Sequence, residues 1–344
     1  MRAQRAVEAV LDDVAVYYDL GHWWDIQPHP GGFRIAAEAG EFVVAVSPEW
    51  RSDASLRFEA MLLAHLEDRA VVAPRLVRSR AGRPWHRSVT GAAVLVTEWA
   101  QGGAVDASLA QHRRRSVRAL AEYHAAVRSF PPRLRAEGLP TLFAMEQGGP
   151  AALEAFTGIS GWYLDADGRQ RLRSASSYLW RQFIRVPELL DAGGATLPRL
   201  VVHGSFGPAA IVLDRGAGPG LLPADGLAGF EGARYDMRAL DLAAALKTFA
   251  RTAGGFDLDR CAELVAAYDE VDRLSPGEVE ALPAILRMER LARVFRLASR
   301  LEVDTPERVA VEMVSVIEKE SSRLRWLEEH EGALIEALGS ALVG

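Results

Sequence analysis

The pattern of apolar residues changes period at Gln101-Gly102-Gly103, and this change limits the possible architecture more than any other feature of the 344-residue chain. Upstream, Phe33-Arg34-Ile35 and the run from Phe42 to Val46 flank a turn at Ala39-Gly40, which predicts a β-hairpin. Leu56, Met61, Leu62, Ala64 and Leu66 then recur among charges behind Ser52-Asp53, a pairing of helical spacing with capping residues. Strand-like runs follow at 75–80 and 92–98. An amphipathic helix, with Val7, Val10, Leu11, Val14 and Tyr17 directed inward, precedes them all. Paired glycines make a flexible joint after the last strand. Beyond it helices are predicted at about 108–127, 175–190, 238–253, 258–274, 276–301 and 306–342, interrupted by one β-rich island. The expected class is α+β in two lobes, 1–100 and 101–344.

Charge and cysteine usage narrow the function. Forty Lys+Arg against forty-six Asp+Glu leave a net charge of −6, without the positive excess that holds nucleic acid or an anionic membrane. The single cysteine, Cys261, excludes an internal disulfide framework and a multi-cysteine zinc site, and reads as buried filler. With a charged N-terminal segment and no apolar run of transmembrane length, a cytoplasmic protein is expected. The only lysines are Lys247 and Lys319, so chemistry that needs an early lysine is excluded.

Two segments carry the most specific signal: HGSFGPAAIVLD from His203 and GLAGFEGARYDMRALDLAAAL from Gly226. They resemble the catalytic loop and metal-binding segment of the aminoglycoside phosphotransferase and homoserine/choline kinase-like family, whose pattern is approximately HGDLHPGNVLVD followed by GVIDFEDARWGDRALDLA. VLVTEWAQGG resembles the family's interlobe hinge, and LAEYHAAV the first helix of its large lobe. The resemblance implies a bilobal, protein-kinase-like fold of aminoglycoside phosphotransferase type. Its small lobe is β-rich, and its large helical lobe carries a catalytic-loop hairpin at 200–231.

The residues that bear the family's chemistry are absent at the matching positions. Ser205 stands where the resemblance places the aspartate base, and a hydroxyl accepts no proton usefully at neutral pH. Ala210 replaces a metal-binding asparagine, Gly229 the main metal-binding aspartate, and Ala45 the small-lobe cation that meets the nucleotide phosphates. Glu231 remains beside Gly229, and Arg34 is the nearest basic side chain on the hairpin. Glu59, at the place of the family's helix glutamate, lacks its usual lysine partner. The cleft candidates are therefore Arg34, Glu59, Glu98, Trp99, Ser205 and Glu231, with His203 and Asp241 as loop supports and no metal ligands.

Several other residues read as structural. Trp23-Trp24 suit core and cover, Arg113-Arg114-Arg115 a solvated helix face, and Pro30-Gly31-Gly32 a tight turn. His124 reads as a helix-face packing residue, and no histidine spacing argues for a metal. These readings describe a catalytically inactive pseudokinase without a cofactor that works by binding. As in kinase-like proteins of natural product biosynthesis, it would act as a scaffold or substrate-binding partner of a tailoring enzyme. The expected occupant is a partner protein, a peptide or a small metabolite in the interlobe cleft. The alternatives are a small-molecule phosphotransferase or other transferase with an unconventional site at Glu231 and Asp225, and a sensor or sequestering protein for a small molecule.

Overall fold

The computed structural model describes residues 2–47, 51–88, 90–100, 102–142, 148–160, 164–192, 197–214, 225–299 and 307–342. Helix α1 (Arg2–Tyr17) leads into strands β1 (Trp23–His29), β2 (Gly32–Ala37) and β3 (Gly40–Ser47). Helix α2 (Asp53–Asp68) follows, then β4 (Leu76–Val77), β5 (His86–Arg87) and β6 (Ala93–Glu98). These strands form one antiparallel sheet in the order β1-β2-β3-β6-β4, with β5 also on β6. The hairpin at Ala39-Gly40 forms in the expected register, Phe42 facing Ile35 and Val44 facing Phe33.

A small core holds this sheet to α1. Val10, Val14, Ile35, Phe42, Val44, Val94 and Val96 pack together in it. Tyr18, not Tyr17, turns inward and donates its hydroxyl to the Val94 carbonyl at 3.2 Å. The helical bond from the Tyr18 N–H to the Val14 carbonyl at 3.0 Å carries the buried Val10-Val14 row on to Tyr18, so Tyr17 falls beside that row, lies 39% exposed and stacks on His86. Val7 belongs to the first turns, whose side chains lie outside the described residues. The Trp23-Trp24 segment is itself an edge strand, and Trp24 is 66% exposed, because the sheet's buried face begins only at β2.

The turn between β1 and β2 roofs the space below the sheet. Val46 donates to the Gly31 carbonyl at 2.8 Å, and a Cβ on Gly32 would sit 1.9 Å from the Val44 carbonyl oxygen. Only glycine permits that approach.

Beyond the joint, α3 (Ala110–Val127), α4 (Gly149–Ser160), α5 (Ala166–Ala192), α6 (Ala239–Phe249), α7 (Leu258–Asp269), α8 (Pro276–Ala298), α9 (Glu307–Glu329) and α10 (Glu331–Gly339) enclose the main core. Two short ladders lie among them, β7 (Arg199–Val202) with β10 (Arg234–Met237) and β8 (Ile211–Val212) with β9 (Gly226–Leu227). Cys261 is fully buried on α7. The triple-arginine segment departs from the solvated-face expectation. Arg113 is buried against Glu263, and Arg115 donates to Asp225 through its Nε at 2.8 Å.

Helix α2 starts where Ser52 caps it, its side chain accepting from the Ser55 amide at 3.2 Å. Its Glu59 is not without a partner. Arg51, just before the helix, donates Nη2 to Glu59 Oε2, Nη1 to Ser47 Oγ at 3.0 Å and Nε to Ser55 Oγ at 3.2 Å. The two charged side chains are only 7% and 8% exposed. A buried ion pair is costly to break, because the survivor keeps an uncompensated charge. Replacing Arg51 with Met is therefore expected to cost about 3–5 kcal/mol of folding stability. Adding Glu59→Gln recovers most of that loss, as urea denaturation of the single and double variants would show.

Candidate functional site

The site is framed by one carboxylate. Asp241, in the first turn of α6, accepts from the backbone N–H of His203 at 2.6 Å and of Gly204 at 2.9 Å, and pairs with His124 Nε2 at 3.0 Å. His124 in turn bonds Tyr268 through Nδ1 at 2.6 Å, so the fully buried imidazole links α3, α6 and α7 rather than packing on a helix face. Burial pushes the Asp241 carboxyl up. The bonds and charges of His124, His203 and Gly204 outweigh that and hold it below the usual range.

His203 closes the loop that follows. Its Nε2 lies 2.9 Å from the Ala228 carbonyl, which can only accept, so Nε2 carries the proton and Nδ1 is free to accept from Ser205 N at 3.3 Å. Both ring nitrogens are thus occupied in the neutral form. Ala228 also donates its N–H to the Ala210 carbonyl at 2.8 Å, which brings the 203–212 loop against the 226–232 segment.

Between these loops and the sheet lies a cavity of about 480 Å³. Ala45, Glu59, Glu98, Trp99, Ser205, Ala210, Gly229 and Glu231 all line it. Arg34 does not, because its guanidinium is held by Glu41 at 2.9 Å and lies over the Trp99 ring at 4.5 Å. Asp225 is engaged by Arg115 and does not line the cavity either. The roof was the least visible part in the sequence. His29 and Pro30 line the cavity, with the His29 ring set edge-on to Trp99 at 5.7 Å, so the Pro30-Gly31-Gly32 turn is also a cover. Arg51 was missed as well, although its spacing four residues before Ser55 and eight before Glu59 is a helix-face signal.

The chemistry of this lining differs from that of a nucleotide-phosphate site. No lysine or arginine lines the cavity among the described residues. A Cβ on Gly229 would lie 3.4 Å from Glu231 Oε2, so the Glu231 carboxylate folds back over the place where an aspartate side chain at 229 would begin. Burial pushes the Glu59 carboxyl up more than Arg51 draws it down, and the charge of Glu231 adds to the rise. Magnesium and a nucleotide, implied by the family resemblance, need several oxygen donors and a cation for the phosphates. Ala210 and Gly229 offer no side-chain oxygen, and Glu59 is committed to Arg51. No group of three or more His, Cys, Asp or Glu side chains could hold a metal among the described residues. The residues present do not fit that group.

The frame makes a pH prediction. Burial lowers the His203 pKa below its ordinary value of about 6.5, against the smaller upward pull of Asp241. Below that pH the unfolded chain binds a proton that the folded chain refuses, so stability falls on acidification from about pH 6.5. The expected observation is a melting temperature that drops between pH 7 and 5, with a shallower slope in His203→Gln, which keeps a donor for Ala228.

Known proteins share both pattern and shape. The chain is 28% identical over 260 residues to the homoserine kinase of Methylobacterium radiotolerans, covering 74% of this chain and 72% of that one. An aminoglycoside phosphotransferase from Alicyclobacillus acidocaldarius superposes with a TM-score of 0.62 at 22% identity, covering 94% of this chain and 96% of that one. A microcompartment-associated aminopropanol kinase superposes with a TM-score of 0.69 at 14% identity, covering 94% and 98%. At these identities the two structures show the fold alone: a β-rich N-terminal sheet and a helical C-terminal region of protein-kinase-like type. Among the described residues no helix is long and apolar enough to cross a membrane. The phosphotransferase enzyme family matches residues 31–274, more than half of the chain, and together with the Asp241-framed loops this makes the protein a member of that family.

Proposed function

We propose that the interlobe cleft binds a small amine-bearing molecule and does not carry out the family's metal-assisted phosphoryl transfer. The observation that carries this reading is the charge of the lining. With Glu59 neutralised by Arg51, the exposed Glu98 and Glu231 have no ion pair among the described residues, and no basic side chain but His29 joins them. A carboxylate-lined cleft with low-dielectric walls concentrates cations and repels polyphosphate. Its remaining surface, including Val43, Leu63, Leu95 and Phe230, is apolar and suits the carbon skeleton of such a ligand. The names of the relatives support a small molecule over a protein, since homoserine, aminoglycosides and aminopropanol are all amino compounds. The volume of about 480 Å³ also falls in the range of small-molecule pockets. The scaffold role expected beside a tailoring enzyme has no comparable support.

A second reading, a small-molecule phosphotransferase built around Glu231, is favoured by the same relatives. It also draws on the placement of the Glu231 carboxylate over Gly229. Thermal shift separates the two. A ligand that binds only the native state at a hundred times its dissociation constant adds about 2.7 kcal/mol of stability. The expected result is stabilisation by homoserine, aminopropanol or an aminoglycoside, weakened in Glu231→Gln, and no shift with millimolar ATP, GTP or ADP with or without Mg²⁺ or Mn²⁺. A metal-dependent nucleotide shift lost in Glu231→Ala would overturn the first reading in favour of the second.

A further inference from the structure

A concentration of positive charge lies away from the cleft, at the other end of β7. Arg199 opens β7 and His203 follows its last residue, four positions on, about 13 Å of extended chain. A second cavity of about 480 Å³ opens there, lined by Arg128, Arg135, Arg199, Arg238 and Arg273. Its apolar floor comes from Leu200 and Leu274.

Not all of this charge is used inside the fold. Arg238 is 3% exposed and engaged through all three nitrogens: Nε donates to Glu278 at 2.7 Å, Nη1 to Asp272 at 2.8 Å and Nη2 to the Arg273 carbonyl at 2.9 Å. Glu278 is further tied into the cap of α8, where Ser275 N donates to it at 2.9 Å. Asp272 also accepts from Arg128, and Asp269 from Arg273 at 2.8 Å. Among the described residues five guanidinium groups therefore face three carboxylates, all of them already engaged. Arg199 is exposed and has no partner among the described residues. Arg135 lies over the Tyr235 ring, and among the described residues it is held only by two bonds of 3.4 Å, to Tyr235 Oη and the Phe130 carbonyl, while its buried Nε has no partner there. Arg128 and Arg273 are 57% and 60% exposed.

We infer that this arginine cavity is a binding site for a small phosphate-bearing anion. Guanidinium forks match phosphate oxygens in pairs and stay charged at every physiological pH, whereas an isolated surface arginine offers only a point of attraction. The two arginines with unused donors, Arg135 and Arg199, would grip the anion, and Arg128 and Arg273 would add field from the rim. The buried Arg238, bonded to Glu278 and Asp272, holds the wall. This site is independent of the cleft reading, since no residue lines both cavities.

Titration calorimetry with inorganic pyrophosphate at constant ionic strength tests the inference on the full chain. One-to-one saturable binding is expected, weakened at least tenfold in Arg199→Glu and in Arg135→Gln. It should be unchanged in Arg308→Glu, which makes the same charge change as Arg199→Glu on an exposed face of α9 outside the cavity. Circular dichroism confirms that each variant is folded, and the exposed Arg199 keeps the test open should Arg135→Gln unfold. Absence of saturable binding, equal weakening in Arg308→Glu, or wild-type affinity in Arg199→Glu would each overturn the site.

Discussion

The grip of Asp241 on the backbone of His203 and Gly204 is the constraint on which the rest of the structure depends. One buried carboxylate receives two amides and the His124 imidazole, and through them it joins α3, α6 and the loop beneath the cleft. Without those donors the charge would carry the full cost of desolvation, so the loop and the helices need each other. His203 passes the order onward to Ala228, and Ala228 to Ala210, until both walls of the cavity floor are set.

The sheet above is positioned by an equivalent device of different composition. Arg51 reaches Ser47 at the end of β3 and Ser55 and Glu59 on α2, so a single guanidinium fixes the helix against the strand. Because this cation is turned into the small lobe and bonded there through all three nitrogens, it leaves the cleft acidic. The electrostatic character of the site thus follows from where one arginine is placed before a helix.

Much of this was legible beforehand, and the failures have physical causes. The hairpin, α2 and its Ser52 cap followed from period and capping chemistry, which act over a few residues. The motif residues 203–210 and 226–231 were recognisable as two loops, and all of their named cleft positions line one cavity. Arg34 was assigned to the cleft by its strand position, but side chains alternate along a strand, and Glu41 with Trp99 holds it elsewhere. Asp225 and Arg115 are 110 residues apart, and His124 and Asp241 are 117 apart. No local pattern announces pairings at such separation. The arginine cavity escaped notice for the same reason, since its residues come from five stretches of chain.

The loop frame has a consequence for descent. Ala45, Ser205, Ala210 and Gly229 contribute no side-chain hydrogen bond to the bonds that shape the cleft floor, which run through His203, Asp241 and main-chain groups. At Ala45, Ser205 and Ala210 the fold therefore makes no demand for a polar side chain, whereas Gly229, at a φ of 77°, and Glu59, paired with Arg51, serve the fold as well as the cleft. Mutation can exchange the first three while purifying selection on folding watches the others, so a lineage can drift from one occupation to another without passing through an unfolded ancestor.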